Sequence, residues 1–262
     1  MKVCRYTGYS EITQAAKNAE LFSSRNGLTN LGQRSSLLGQ FKLRHLWPLL
    51  RQTKLIGRAA WSHARRNHGR FAGFSDTEIA GSIWMILGGY IGTGYLLSSA
   101  HYFDRNPLAR KEFLANPDVR SSAVEELLRY FTPGTQSQRL ITGPCVAGGE
   151  RYEGGDVAIL DWAAGNFDER VFVKPGEIDF NRPHIDHLTF GAGAHYCLGA
   201  EFAREFVGLF LLRFLQAFPR CQIDATKSVR LQYSTLAGFE TLPADLAARP
   251  REAIASYEMD AR

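Results

Sequence analysis

The sequence lacks paired cysteines. Its four cysteines show no Cys-x-x-Cys pair and no regular spacing; they are Cys4, Cys145, Cys197 and Cys221. This pattern argues against a disulfide framework and against a structural zinc site, and it is typical of proteins in a reducing compartment. The first thirty residues also lack a continuous apolar stretch, so no signal peptide is expected. We therefore expect a cytoplasmic protein.

The sequence also has little excess charge. The formal net charge is +5, and the densest basic run, Arg65–Arg70, is short and has no interleaved aromatic residues. We therefore expect no nucleic-acid partner, although a mildly basic surface suits an acidic electron donor. The charge-free stretch Ile83–Phe103 is long enough to cross a bilayer. It contains four glycines, and no basic cluster or aromatic belt flanks it, so we expect a buried helix and no membrane insertion.

Periodicity and capping residues predict a mainly α fold with small β-sheets. A capping box of Ser75 and Glu78 should begin a helix that continues to about Phe103. A second capping box, Ser122 and Glu125, should begin a helix that ends before a proline at position 133. The other predictions are helices at 9–20, 109–115 and 199–218, hairpins within 134–162, an irregular stretch at 163–196, and strands near 229–233 and 237–242.

Cys197 stands immediately before the last long helix. The N-terminus of a helix carries partial positive charge and unpaired N–H groups, which favour a thiolate over a thiol. Gly191 and Gly193 allow the preceding loop to turn tightly. Three interpretations follow from these residues alone: a buried structural cysteine, a nucleophile with His195 as its base, and an axial ligand of haem iron.

The segment Phe190–Gly199 resembles the haem-binding loop of the cytochrome P450 family. Phe190, Gly193, His195, Cys197 and Gly199 match the family's pattern of phenylalanine, glycine, basic residue, cysteine and glycine. The resemblance implies haem b (iron protoporphyrin IX) as the cofactor and Cys197 as its metal ligand. It also implies that Phe190 packs beside the cysteine and that His195 lies near a haem propionate.

Further residues match the family outside this loop. Glu126 and Arg129 occupy its Glu-x-x-Arg motif, and Arg182 matches the arginine that the family joins to that pair. The resemblance implies that these three residues form a structural triad supporting the cysteine loop. Arg139 and His187 fall where the family places haem-propionate partners. Residues 164–168 resemble the family's meander, although phenylalanine replaces its usual arginine.

The chain departs from the family by its shortness. We interpret it as one haem-thiolate domain, 1–262, with an early-helix remnant at 1–27, a divergent bridging segment at 28–73, a P450-like core at 74–246 and a tail at 247–262. The fold expected is thus a truncated cytochrome P450-like fold. Several helices that precede the long central helix in the family are expected to be missing, and with them part of the covering of the haem.

The glycine-rich centre of the long helix departs as well. Gly88 and Gly89 would let the haem approach the backbone closely, as the family's helix does. The family then carries an acid and an alcohol for proton delivery, but Ile91 and Gly92 stand at those positions. Thr93 is the remaining candidate hydroxyl, about 100° further round the helix than Gly92.

The resemblance implies a haem-thiolate oxidoreductase that acts as a monooxygenase of a small organic substrate. It also implies a ferredoxin-type or other protein that donates the electrons. The altered acid and alcohol positions motivate a sub-hypothesis of peroxide use. The alternative is a non-catalytic haem-binding protein or truncated pseudoenzyme that acts through a partner. Because missing helices would expose Phe206, Phe210 and Phe214, a homo-oligomer is also a hypothesis. A cysteine hydrolase using Cys197 and His195 is a remote third option.

Overall fold

The computed structural model describes residues 1–24, 91–183, 185–230 and 235–246, and for residues 91–94 the backbone only. The chain divides into two compact units, Met1–Leu28 with Ile91–Arg262 and Thr29–Tyr90. All described residues belong to the first unit. The predicted helix start at Ser75, the bridging segment and the tail lie outside the described residues, so the single-domain organisation stays a prediction.

Helices dominate the described residues. Their bounds are α1 (Tyr9–Lys17), α2 (Ile91–Arg105), α3 (Pro107–Ala115), α4 (Pro117–Phe131), α5 (Trp162–Asn166) and α6 (Ala200–Ala217). Helices α1, α3 and α6 lie where the periodicity predicts them, and α2 ends within two residues of the predicted end. The predicted irregular stretch 163–196 is wrong at its start, where α5 forms because the Asp161 side chain caps it by accepting from the Ala164 N–H at 3.1 Å. Among the described residues between α5 and α6, only a short 3-10 turn at Gly193–His195 is helical, which agrees with the rest of the prediction.

The predicted start of α4 is wrong. The helix begins at Pro117, five residues before Ser122. The side chain of Asn116 caps it by accepting a hydrogen bond from the backbone N–H of Asp118 at 3.1 Å, and proline at the first helical position needs no N–H partner. Ser122 lies inside the helix and donates to the carbonyl of Val119 at 3.0 Å. The Asn-Pro pair was therefore the stronger start signal.

Small β-sheets complete the fold, as predicted. The strands of the described residues are β1 (Val3–Tyr6), β2 (Phe22–Ser23), β3 (Ser137–Ile141), β4 (Cys145–Ala147), β5 (Glu150–Tyr152), β6 (Val157–Leu160), β7 (Gln222–Ile223), β8 (Val229–Arg230), β9 (Phe239–Thr241) and β10 (Ala244–Asp245). A four-stranded sheet has the order β1-β6-β3-β2, in which β1 runs parallel to β6 and the other neighbours are antiparallel. Two-stranded sheets pair β4 with β5, β7 with β10 and β8 with β9.

Two hydrophobic clusters form the core. The first is built by α2, α3, α4 and α6 and includes the fully buried Phe103 and Leu211. The second lies between α1 and the four-stranded sheet and includes Ile12. Phe190 packs against the first cluster and Ala192 against the second. The segment that precedes Cys197 therefore touches both clusters, which fixes its position from two sides.

The apolar stretch Ile83–Phe103 is described only from Ile91, where it forms α2. Its Tyr95 and Phe103 are buried in the first cluster. Among the helices in the described ranges, none is long and apolar enough to cross a membrane.

Candidate functional site

Cys197 lies in an exposed loop that ends where α6 begins. Its backbone N–H donates to the carbonyl of Phe190 at 2.8 Å, which closes the loop on itself. Gly191 and Gly193 have φ angles of 76° and 71°, a left-handed conformation that favours glycine. The Cys197 thiol is free and exposed. The loop therefore presents one sulfur outward at the N-terminal end of an 18-residue helix.

Helix α1 packs directly against this loop. A Cβ on Gly193 would collide with the carbonyl oxygen of Ala16 and would lie 2.9 Å from the Cα of Lys17. Gly193 is therefore required both by its backbone conformation and by the approach of α1. Ser24 Oγ lies 2.8 Å from His195 Nε2, within hydrogen-bond distance. The sequence identified Gly193 and His195, but no pattern in it indicated their partners.

The structure brings Glu126, Arg129 and Arg182 together. Both the Glu126 and Arg129 side chains are fully buried, with Arg129 Nε donating to Glu126 Oε2 at 2.8 Å and Arg129 Nη2 to Oε1 at 2.9 Å. Arg182 Nε donates to Oε2 at 3.0 Å, and the backbone N–H of Asp179 donates to Oε1 at 3.1 Å. One carboxylate thus accepts four hydrogen bonds from a helix and from a loop more than fifty residues away.

The two arginines extend this network along the irregular segment. Arg129 donates to the backbone carbonyls of Asn166 at 2.8 Å and Pro175 at 2.9 Å. Arg182 donates to the carbonyls of Val173 and Glu177 at 2.7 and 3.0 Å. A segment with little regular structure would otherwise leave these carbonyls without partners. The arginines therefore fix the path of the chain between α5 and the cysteine loop.

Glu126 is held as a carboxylate. Burial raises the pKa of Glu126, but hydrogen bonds from Arg129 and Arg182 and from the Asp179 N–H outweigh burial and leave it below its ordinary value. Bidentate guanidinium–carboxylate pairs are the geometry in which a buried charge is best compensated.

Asn166 is a site residue that sequence reasoning missed. Its fully buried side chain donates to Thr132 Oγ1 at 2.8 Å and Thr189 Oγ1 at 3.0 Å, and it accepts from the Leu188 N–H at 2.6 Å. Thr132 follows α4 and has a φ of 28°, which is rare for a β-branched residue. One amide therefore joins the end of α4 to the residues just before Phe190. The resemblance to a meander was the only signal near it.

A second unpredicted group joins α4, α6 and the cysteine loop. Arg204 Nε donates to Glu125 Oε1 at 2.8 Å, and Arg204 Nη1 lies 3.3 Å from the Tyr196 hydroxyl. The Arg204 guanidinium also lies 4.7 Å from the centroid of the Phe190 ring, a cation–π contact. Burial raises the pKa of Glu125, but its contact with His187 and its hydrogen bonds from Arg204 leave this pKa below its ordinary value. This group holds Phe190 and Tyr196, two aromatic residues of the segment that leads into Cys197.

His187 faces this group. Its buried Nε2 lies 3.3 Å from Glu125 Oε2, although the geometry is not that of an aligned hydrogen bond. The backbone N–H of Thr189 donates to His187 Nδ1 at 3.3 Å, which in a neutral ring places the proton on Nε2, facing the carboxylate. A role for His187 beside a haem propionate stays a prediction.

Arg139 is a buried cation on β3. Its side chain is nearly inaccessible, and its Nη1 donates to Ser137 Oγ at 3.1 Å and to the Gln138 carbonyl at 2.8 Å. Burial lowers the pKa of Arg139. No acidic side chain in the part of the chain that the structure describes pairs with it. A buried guanidinium without a carboxylate is a fitting partner for an anionic ligand.

The predicted distal residues lie largely outside the described residues. Gly88 and Gly89 lie outside the described residues, and the side chain of Thr93 does too, although its backbone lies in α2.

Within the described ranges, no three His, Cys, Asp or Glu side chains lie close enough to hold a metal ion together.

Sequence comparisons agree with this geometry. The family model described as cytochrome P450 matches residues 118–244, which contain α4, the irregular segment, the cysteine loop and α6. Cytochrome P450 CYP107DY1 of Priestia megaterium is 33% identical over 173 residues, covering 64% of this chain and 42% of the relative. Nocardicin C N-oxygenase of Nocardia uniformis is 34% identical over 149 residues, covering 55% and 37%. The chain thus spans less than half the length of these relatives.

Solved structures agree with the sequence matches. The tirandamycin C-bound P450 monooxygenase TamI superposes with a TM-score of 0.65 at 25% identity, covering 74% of this chain and 52% of that one. HmtN, a post-tailoring hydroxylase involved in himastatin biosynthesis, superposes with a TM-score of 0.72 at 18% identity, covering 93% of this chain and 90% of that one, which bears on the fold alone. The mainly α fold with small sheets, truncated relative to TamI, is confirmed. These matches show that residues 118–244, just under half of the chain, are those of a cytochrome P450.

Proposed function

We propose that this protein is a haem-thiolate oxidoreductase, a monooxygenase of a small organic substrate, in which the thiolate of Cys197 would hold the iron of haem b. The observation that carries the proposal is the presentation of the Cys197 thiol. It is exposed and lies at a helix N-terminus, in a loop whose Tyr196 hydroxyl accepts a hydrogen bond from Arg204 of α6. The residues just before the loop donate to α5 and α4, Leu188 to the Asn166 side chain and Thr189 to the Leu128 carbonyl. When bound, haem supplies the redox chemistry, with thiolate donation favouring O–O bond cleavage.

The residues around Cys197 fit this cofactor. Tyr196 and Leu198 flank the thiol and are exposed, which suits a flat apolar ring laid against the loop. Arg139 is buried and without an acidic partner in the described ranges, which suits a propionate. His195, exposed and next to Ser24, would be the second propionate partner. Each of these four side chains therefore suits a part of the same ligand.

The chain's own contribution is to hold the thiolate in place. Phe190 would pack beside Cys197, fixed by Arg204 on its ring and by the hydrogen bond between its carbonyl and the Cys197 N–H. Glu126 and Asn166 would act indirectly on Cys197, because their hydrogen bonds fix the segment that leads into the loop. We propose a structural role for the triad and for Asn166, and a direct role toward haem for Phe190, Gly193, His195, Cys197, Gly199 and Arg139.

The test is the absorption spectrum of the reduced, carbon-monoxide-bound protein. Thiolate ligation predicts a strongly red-shifted Soret band that disappears in Cys197→Ala. Cys145→Ala, which removes another cysteine that is not fully buried, is the matched control and should keep the band. If the band persists in Cys197→Ala, or if neither protein binds haem, the proposal is wrong.

We further propose that peroxide drives the reaction better than a ferredoxin-type donor does. The support is the register Gly88–Thr93, in which Ile91 and Gly92 occupy the family's acid and alcohol positions. Without an acid–alcohol pair, controlled proton delivery to oxygen is weakened. Product formation should therefore be faster with peroxide than with a ferredoxin, a ferredoxin reductase and reduced nicotinamide cofactor. Faster turnover in the reductase system would contradict this.

The low cysteine content supports placing the activity in the cytoplasm.

A second candidate function is a non-catalytic haem protein that acts through a partner. It is favoured by the exposed apolar face of α6, where Phe202 and Phe206 lie largely outside the core. This candidate predicts the red-shifted band without oxidation product in either assay. Specific product from purified protein would exclude it.

A further inference from the structure

Arg204 of α6 has a guanidinium group that contacts four side chains. Its Nε and Nη2 donate to the two carboxylate oxygens of Glu125 at 2.8 and 3.2 Å. Its Nη1 donates to Glu201 at 2.7 Å, and Nη1 and Nη2 both donate to the Tyr196 hydroxyl at 3.3 Å. Its Cζ lies 4.7 Å from the centroid of the Phe190 ring. Two of the four partners, Phe190 and Tyr196, belong to the cysteine loop.

The pair between Arg204 and Glu125 differs from an ordinary surface ion pair. The two side chains are only 25% and 22% exposed. Glu125 lies on α4 between the buried residues Val124 and Glu126, so its backbone is fixed in the core. A guanidinium that donates twice to one carboxylate is held in a single plane. Glu125 therefore orients the flat face of Arg204, and this face lies against the Phe190 ring.

Glu125 faces a second residue that also contacts Phe190. His187 Nε2 lies 3.3 Å from Glu125 Oε2, and the His187 side chain is 1% exposed. The centroid of its ring lies 5.6 Å from that of Phe190. One carboxylate thus faces two of the groups that pack on this phenylalanine, which fixes the Phe190 ring relative to α4.

Phe190 and Tyr196 connect this arrangement to Cys197. The Phe190 carbonyl accepts the Cys197 N–H at 2.8 Å, and Tyr196 directly precedes the cysteine. The two aromatic rings also contact each other, at a centroid distance of 6.3 Å. Gly191 and Gly193 lie between them and add conformational freedom to the chain. Side chains that hold both ends of this short stretch therefore restrict where Cys197 can lie.

We propose that Arg204 is a positioning residue for the Cys197 thiol, that it acts through Phe190 and Tyr196, and that Glu125 orients it. This inference rests on the proposed function, in which the thiol holds the haem iron. Arg204 supplies no chemistry of its own. It keeps the sulfur at one place at the N-terminal end of α6, so that the thiolate stays on the iron.

The first experiment is hydrogen–deuterium exchange of the full chain, measured by mass spectrometry on peptides that cover residues 190–199. Arg204→Leu should accelerate exchange of the Cys197 N–H about two- to thirtyfold, the factor expected for loss of a cation–π contact. Arg204→Lys keeps the charge but has neither the fork nor the flat face, so it should accelerate exchange as well. Arg204→Lys also serves as the test if Arg204→Leu does not fold.

Arg110→Leu is the matched control for this exchange measurement. Arg110 donates to the carbonyls of Leu215 and Phe218 at 2.9 Å, near the opposite end of α6. Its loss should loosen that end and leave exchange in the cysteine loop unchanged. Equal acceleration in the loop by Arg110→Leu, or none in either Arg204 variant, overturns the proposal. Wild-type exchange in Arg204→Lys alone overturns the part in which Glu125 orients the residue.

The second experiment follows the absorption of the reduced, carbon-monoxide-bound protein at a fixed mild temperature. The red-shifted band should convert to an unshifted band about two- to thirtyfold faster in Arg204→Leu than in the wild type. Glu125→Gln, which keeps one acceptor oxygen but removes the charge, should lie between them. Arg110→Leu should retain the band as long as the wild type does, even where its melting temperature falls. Equal decay in Arg110→Leu and Arg204→Leu overturns the inference.

The two measurements separate this inference from the proposed function. A wild type without the red-shifted band refutes the proposed haem ligation, whereas exchange at Cys197 still decides whether Arg204 holds the loop. A wild type with the band, together with unchanged exchange and unchanged decay in both Arg204 variants, overturns the role of Arg204 alone.

Discussion

Replacing Glu126 by alanine removes the acceptor of four hydrogen bonds at the centre of the buried network. Arg129 donates two of them, Arg182 one and the Asp179 N–H one. Both Glu126 and Arg129 are fully buried, so the change leaves a cation without its counter-charge. Breaking one partner out of a buried pair typically costs about 3–5 kcal/mol.

The structure places the expected loss at the lower end of that range. Arg129 keeps backbone carbonyl acceptors on Asn166 and Pro175 after the carboxylate is gone. Arg182 keeps the carbonyls of Val173 and Glu177 and is close enough to the surface to regain some hydration. We therefore expect Glu126→Ala to lower the free energy of unfolding by about 3 kcal/mol. At about 2–4 °C per kcal/mol for a chain of this size, the melting temperature should fall by roughly 6–12 °C.

Thermal unfolding followed by far-ultraviolet circular dichroism at pH 7 measures this loss. Glu153→Ala is the matched control, because Glu153 accepts from Arg151 at 2.7 Å with both side chains largely exposed. Exposed pairs contribute about 0–1 kcal/mol, so the control should change the melting temperature by no more than a few degrees. A loss in Glu126→Ala no larger than the control's would refute the structural role of the triad.

Three further predictions use the same unfolding measurement. Gly193→Ala should lower the free energy of unfolding by more than about 1 kcal/mol, because the new Cβ would meet Ala16 and the φ of this residue is left-handed. Gly176→Ala is the control and should be neutral, since the space around Gly176 is open. Equal effects would contradict the close approach of α1. Asn166→Ala should cost about 2–3 kcal/mol for the groups left unpaired, and a neutral result would show that water replaces the amide. Because Glu126 has a lowered folded pKa, the unfolded chain binds its proton more readily, so its stabilisation is fully present above the ordinary value of 4.5 and is lost as pH falls below it. The melting temperature should therefore drop between about pH 5 and pH 3, a range around and below the carboxyl pKa of the unfolded chain. This drop should be less steep in Glu126→Ala than in the wild type.

Local patterns in the sequence were sufficient for most helices. Helix α6 reads clearly because its apolar residues repeat at helical spacing and a proline follows it. The start of α4 was misread because a serine three residues before a glutamate mimics a capping box. Only the fold shows that Asn116 and Pro117 already begin the helix there. Capping signals compete, and the earlier one, with proline at the first helical position, determined the start.

The partners within the site depend on contacts between distant residues. Asn166 binds Thr189 and Thr132, which lie 23 and 34 positions away, and no periodicity connects them. Arg204 meets Glu125 across 79 positions. Buried polar groups of this kind are chosen by what the folded chain leaves unpaired, so their partners become visible only when the elements are in place. Motif residues such as Cys197 and Arg182, by contrast, were named from the sequence because the family holds them in fixed register.

The described contacts make the cysteine loop depend on residues far from it in the chain. Helix α1 packs against Gly193, Arg204 of α6 reaches the Tyr196 hydroxyl, and Asn166 of α5 accepts a hydrogen bond from the Leu188 N–H just before the loop. Glu126 fixes an earlier part of the same segment through the Asp179 N–H and Arg182. On the proposed function, loss of Glu126 or Asn166 would therefore disturb the presentation of Cys197, although neither side chain belongs to the loop.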